Sequence, residues 1–116
     1  MDKAMKKRWI KNLESGEFPK ARGYLARKSR DGKSIAGFCC LGVLAHTELS
    51  EEWETTEGFN FGLRPHKNSS YFDDTGIPER FARKLGITRL QQNELATLND
   101  NNAGFDKAIE YIKKNL

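Results

Sequence analysis

A chain of 116 residues, 37% hydrophobic and 31% charged, has the length of one ordinary domain and too much apolar content for a disordered segment. No run approaches the ~18 apolar residues of a membrane span, and the start Met1-Asp2-Lys3-Ala4-Met5 lacks the apolar stretch of a secretory leader, so a single cytosolic domain over residues 1–116 is expected. The net charge of +4 is uneven: residues 1–33 hold eleven Lys/Arg against four Asp/Glu, which concentrates attraction for anions in the N-terminal third.

In chain order, the first expected element is an amphipathic helix over residues 2–15. Met5, Trp9, Ile10 and Leu13 share one face, Lys3, Lys7, Lys11 and Glu14 the other, and Gly16 ends it. Residues 21–28 and 34–38 flank Arg30-Asp31-Gly32-Lys33, and Asp-Gly tolerates positive φ, so a β-hairpin with a basic tip is predicted. From Cys39 to about Leu49 the chain is apolar nearly all round through Leu44, the pattern of a helix buried inside a domain, with Gly42 permitting a close helix crossing.

An acidic run, Glu48 to Glu57, surrounds Trp53. Alternation in 58–64, followed by Ser70-Tyr71-Phe72, suggests a second, irregular hairpin. Pro78 suits the first turn of a helix carrying Phe81, Ala82 and Leu85, and Gly86 its C-terminal end. Thr88 and Gln91 match a capping box for a helix running to about Leu98, with 99–102 as a loop. A last helix from about Phe105 places Phe105, Ala108, Ile109, Ile112 and Leu116 on one stripe. The fold class expected is a small α+β domain, mostly helical, with one or two β-hairpins and a buried central Cys-Cys helix.

For chemistry the sequence offers little that looks catalytic. Adjacent cysteines cannot form an ordinary disulfide, and Cys39-Cys40 lacks the spaced ligand pairs of a zinc site. On a helix, His46 lies about 240° around from Cys40 and about 10 Å along the axis from Cys39, so local geometry denies a Cys-His pair. Buried structural cysteines are the expectation. No phosphate-binding glycine loop, nucleophile elbow or metalloprotease His pair occurs. A protein without catalytic residues, metal or cofactor is the favoured reading.

What remains suits anions and flat rings. Arg22, Arg27, Lys28, Arg30 and Lys33 cluster on the hairpin with Tyr24 among them, and an arginine fork matches phosphate while its face stacks on bases. A second, less concentrated patch is Arg64-His66-Lys67-Asn68, flanked by Phe61 and Tyr71. Asn99-Asp100 can bind a base edge or ribose hydroxyl, although a turn-forming or helix-ending role is the more common use of such residues.

At Gly37-Phe38-Cys39-Cys40-Leu41-Gly42-Val43-Leu44 the sequence resembles a group of small proteins encoded by tailed bacteriophages and prophages. The likeness runs almost end to end: an early Trp helix at Trp9 to Leu13, Arg22-Gly23-Tyr24-Leu25, the Cys-Cys helix, and Leu98-Asn99-Asp100 before a final helix at Ile109-Glu110-Tyr111-Ile112. Residues 48–75 follow no pattern of the group, and Gly104 stands where Ser would cap the last helix. The resemblance implies a setting, the cytoplasm of an infected bacterium, and no catalytic residue.

Small phage proteins of this size commonly disarm host defences. One class, the sponges of CBASS and Thoeris signalling, sequesters cyclic oligonucleotides or ADP-ribose-derived messengers without cleaving them. Membership implies Arg22, Arg27 and Arg30 on phosphates, Tyr24 stacked on a base, Asn60 or Asn99 reading an edge, and a pocket enclosed between subunits of a dimer or tetramer, with Trp53, Phe59 and Phe61 as candidate anchors. Three other readings stand beside it: a protein-binding inhibitor of a host enzyme, a nucleic-acid binder, which a charge of only +4 disfavours, and a thiol enzyme using Cys39 or Cys40.

Overall fold

The computed structural model describes residues 1–55 and 60–116, so Glu57, Gly58 and Phe59, named above in the acidic run, the second hairpin and the anchors, lie outside the described residues. Helix α1, Lys3–Glu14, begins where the Asp2 carboxylate accepts from the Met5 N–H at 2.9 Å, and Gly16, at φ +76°, turns the chain away after it. It buries Trp9 and Leu13, two of the four residues of its expected apolar face.

Strands β1, Ala26–Lys28, and β2, Ile35–Phe38, form the predicted antiparallel hairpin. Gly32 sits at φ +71° in its tip, and the Asp31 carboxylate accepts from the Lys33 N–H at 2.9 Å. The strands are shorter than the pattern suggested: the Leu25 N–H donates to the Asp74 carbonyl, and residues 20 and 21 meet β2 at Phe38 through a single parallel bridge, the Ala21 N–H donating to the Phe38 carbonyl.

Helix α2, Cys40–Glu48, is the centre of the molecule, with Cys40 to Ala45 all buried. Burying each of Leu41, Val43 and Leu44 stabilises the fold by about 1.5–3 kcal/mol. Its N-terminus is capped by sulfur: the Cys39 thiol accepts from the Gly42 N–H at 3.3 Å. Gly42 does make a close crossing, but against strand backbone and not a helix; a Cβ there would lie 1.6 Å from the Leu25 carbonyl oxygen.

After a single 3-10 turn at Ser50–Glu52, the described residues of 54–74 form isolated antiparallel bridges, Ala26 with Phe61, Glu54 with Gly62 and Leu63 with Asp73. Among these described residues the second hairpin is present as single bridges and not as a strand pair. Backbone pairing there is distributed over three partners instead of one.

Helix α3, Glu79–Leu85, follows Pro78 and stops at Gly86, φ +73°. Helix α4, Arg89–Asn101, opens with both bonds of the capping box, Gln91 N–H to Thr88 Oγ1 at 3.1 Å and Thr88 N–H to Gln91 Oε1 at 2.9 Å. It runs a turn past Leu98 into the expected loop because the Lys20 ammonium donates to the carbonyls of Asn99 and Asn102, satisfying and neutralising the helix end. Helix α5, Asp106–Asn115, buries Ala108, Ile109 and Ile112 on the predicted stripe. With Cys39 and Cys40 buried inside a mostly helical α+β domain, the expected fold class is the observed one.

His46 makes one testable contribution here. Its Nδ1 accepts from the Trp53 indole N–H at 3.0 Å, and partial burial lowers its pKa below the usual 6.5. A protonated ring cannot accept that bond. Since the unfolded chain binds the proton more readily, this contribution is complete above about pH 6.5 and drains away as the pH falls through that value to the folded pKa. Urea midpoints measured from pH 7.5 to 5 are expected to fall more steeply for the wild type than for His46→Gln.

Candidate functional site

Trp9, the 21–24 loop, the Cys-Cys helix and Asn99-Asp100 meet at one junction, the N-terminus of α2 against the C-terminus of α4. The Trp9 indole donates to the Cys40 carbonyl at 2.9 Å. The Asn99 Oδ1 accepts from the Cys40 N–H at 3.0 Å, while its Nδ2 donates to the Ala21 carbonyl at 3.0 Å and to Asp100 Oδ1 at 3.1 Å. The same Asp100 oxygen accepts from the Gly23 N–H at 3.2 Å. The loop 21–24 is thus held against α4 and the Cys-Cys helix at several points.

On the outer side of that junction three of the expected residues come together. The Arg27 guanidinium lies over the Tyr24 ring, 4.7 Å from its centroid, and Arg27 Nε donates to the Arg22 carbonyl at 3.0 Å. Stacking fixes one face of the guanidinium and this bond one edge, so its terminal amino groups are presented as a preorganised fork. Arg22 and Arg27 are exposed and Tyr24 half-buried. The Arg22 charge also helps hold the Lys20 pKa below its usual value, with desolvation the larger cause.

Lys28 lies on β1, half-buried, and Arg30 is exposed at the hairpin tip with Lys33. The other three expected ligand residues, Asn60, Arg64 and Asn99, already have partners within the chain. Asn60 Oδ1 accepts from the Lys28 N–H at 3.0 Å. Arg64 pairs with Glu54 at 2.6 Å and donates to the Ser69 carbonyl. Asn99 is completely buried, and a buried amide with its donors and acceptor used in this way has nothing left for a ligand. Trp53 and Phe61 pack on each other at 6.2 Å within the chain's own aromatic cluster with His46 and Phe38.

Burial disfavours the thiolate, the reactive form of cysteine, at both positions of the Cys-Cys helix. Burial pushes Cys39 up to about 11 and Cys40 well above its usual value, and the Cys40 thiol donates to the Leu95 carbonyl at 3.7 Å. His46 is turned to Trp53. Among the described residues no group of His, Cys, Asp and Glu can hold a metal ion, and no helix is long and apolar enough to cross a membrane.

Asp100 is the functional candidate that sequence reasoning undervalued. Its carboxylate faces the same loop as Arg22, and its adjacency to Asn99 in the Leu98-Asn99-Asp100 motif was the available signal.

The fold and junction define a small α+β protein organised around a buried Cys-Cys helix, with a basic, ring-bearing loop on its surface. The chain belongs to the family described as a domain of unknown function (DUF8296), whose profile matches residues 1–116. No curated protein and no solved structure matches it.

Proposed function

We infer that this protein captures a phosphorylated, ring-bearing small molecule without transforming it, and that it acts as a sponge for a cyclic nucleotide or ADP-ribose-derived immune messenger in a phage-infected bacterium. The observation that carries this reading is the Arg27 fork, clamped on Tyr24 and on the Arg22 carbonyl, with its amino groups and the Arg22 side chain both turned over to solvent. An arginine already ordered loses little entropy on meeting phosphate, and the neighbouring ring supplies a surface for a base. The setting comes from the resemblance to tailed-phage proteins.

Sequestration needs nanomolar affinity, about −12 kcal/mol, which an open loop on one chain does not supply. Two copies related by a two-fold axis would close their platforms over a pseudo-symmetric ligand, so the reading includes a homo-oligomer. To test it, purified protein is mixed with cyclic dinucleotides, cyclic trinucleotides and cyclic ADP-ribose isomers, and ligand is recovered after heat denaturation. Intact messenger is expected from the wild type. In Arg22→Ala/Arg27→Ala, with an unchanged circular-dichroism spectrum, affinity is expected to fall at least about 100-fold, the lower end of what losing two charge-assisted contacts of about 1.5–3 kcal/mol each gives. A wild type that retains none of these compounds, or a double variant that retains them equally well, overturns the reading.

A protein-binding inhibitor is the second reading, favoured by the exposed carboxylates Glu51 and Glu52 on the 3-10 turn. It predicts one stoichiometric host protein, and no nucleotide, on a column of the wild type.

A further inference from the structure

A second arginine is prepared in the same manner on another part of the molecule. The Arg80 guanidinium lies 4.2 Å from the centroid of the Phe81 ring, and its Nε donates to the Arg64 carbonyl at 3.0 Å. One face and one edge are fixed, and the terminal amino groups have no protein partner among the described residues. They border a cleft of about 460 Å³ between the 65–73 loop and α3, walled by Pro65, Pro78 and Tyr71 and edged by His66 and Arg83. The volume lies within the range of about 300–1,000 Å³ typical of small-ligand sites.

Tyr71 is 63% exposed, one of two large apolar side chains left in solvent among the described residues. Its ring has no partner in the aromatic clusters, so a face is open for stacking. Arg83 pairs with Glu79 at 3.1 Å, and both side chains are largely exposed, 80% and 62%. A pair so exposed is worth little, which leaves Arg83 free to exchange Glu79 for a ligand anion. Asp73 and Glu79 also line the cleft, and Asp73 Oδ1 is already occupied by the Thr75 and Gly76 N–H groups and the Thr75 hydroxyl. Carboxylates beside arginines in one small cleft match a ligand that carries hydroxyls as well as an anion.

We propose that this cleft binds a ribonucleoside monophosphate, with the base on Tyr71, the phosphate on Arg80 and Arg83, and the sugar hydroxyls toward Asp73 and Glu79. The site shares its ligand chemistry with the hairpin platform and none of its residues.

The test is a backbone-amide NMR titration of the full chain with AMP, adenosine and inorganic phosphate. AMP is expected to shift amides in 66–71 and 79–83, and to bind at least tenfold tighter than adenosine or phosphate. Tyr71→Ala, which removes an exposed side chain with no hydrogen-bond partner, is expected to weaken AMP about tenfold and leave phosphate unchanged. Arg83→Ala should weaken AMP and phosphate alike. Amides of the cleft that do not move, adenosine binding as well as AMP, or wild-type affinity in Tyr71→Ala overturns the proposal. Arg22→Ala/Arg27→Ala is expected to leave this titration intact; its loss there would assign the nucleotide to the hairpin and refute the cleft.

Discussion

Replacing Gly42 by alanine is expected to cost the chain its folded state. The added Cβ would stand 1.6 Å from the Leu25 carbonyl oxygen, 2.5 Å from its carbon and 3.1 Å from the Leu25 Cα, all of them backbone atoms. No rotamer change relieves such an overlap; α2 and the strand lead-in must separate. That separation breaks the Cys39 N–H bond to the same Leu25 carbonyl, 3.1 Å, and opens the wall of residues buried around Leu25 and Leu44. Overpacking of a well-filled core costs about 1–3 kcal/mol where side chains can yield, and a rigid backbone contact places Gly42→Ala above about 4 kcal/mol, in the tail of single-residue effects. Urea denaturation followed by circular dichroism measures it. A midpoint within 0.5 M of wild type, about 1 kcal/mol at the ordinary slope, would show that the helix and strand are not locked together at this point.

This contact also shows which parts of the structure a sequence can disclose. The ends of helices are written in residues a few positions apart: Asp2 with Met5, Thr88 with Gln91, Gly86 behind Leu85. The tip of the hairpin is equally local, with Asp31, Gly32 and Lys33 making the turn among themselves. The buried character of α2 followed from composition alone, since no polar face was present to meet water.

Where the partner is distant, the residue type says little. Lys20 lengthens a helix 79 residues further on by taking its last carbonyls, and nothing near Lys20 or near Asn99 announces the pairing. Arg64 looks like a phosphate ligand in sequence and is an internal tie to Glu54 and Ser69 in space. The hairpin arginines were legible as a group because they are close in sequence, but only the fold shows that Arg27 is held on the Tyr24 ring and the Arg22 carbonyl. Arg80 carried no signal at all, because its preparation depends on Phe81 beneath it and the Arg64 carbonyl across a loop.

Asn99 is the residue through which stability and the proposed binding loop are coupled. Its amide serves three partners from a fully buried position: the Cys40 N–H at the start of α2, the Ala21 carbonyl leading into Arg22, and the carboxylate of Asp100 that holds Gly23. Asn99→Ala leaves a backbone donor and a backbone acceptor without partners in a region closed to water, at about 1–3 kcal/mol each. A total loss of about 3–5 kcal/mol is expected, since the small cavity adds to it.

Asn99→Asp separates the two halves of that loss. Its carboxylate can still accept from Cys40, but it cannot donate to Ala21, and it sets a buried negative charge beside Asp100. Burial and that neighbour both raise its pKa, so the folded state takes up the proton more readily than the unfolded chain. The deficit of Asn99→Asp against wild type should therefore shrink as the pH falls from 7 toward 4, while that of Asn99→Ala stays constant. Parallel denaturation curves across this range provide the measurement. If Asn99→Asp matches wild type at every pH while Asn99→Ala stays destabilised, the Ala21 and Asp100 contacts contribute nothing and Asn99 acts only as a cap for α2. If instead Asn99→Asp carries the pH-dependent deficit, the proposed messenger capture should weaken in both variants at temperatures where they remain folded, because Arg22 and Gly23 are then released from the junction that presents them.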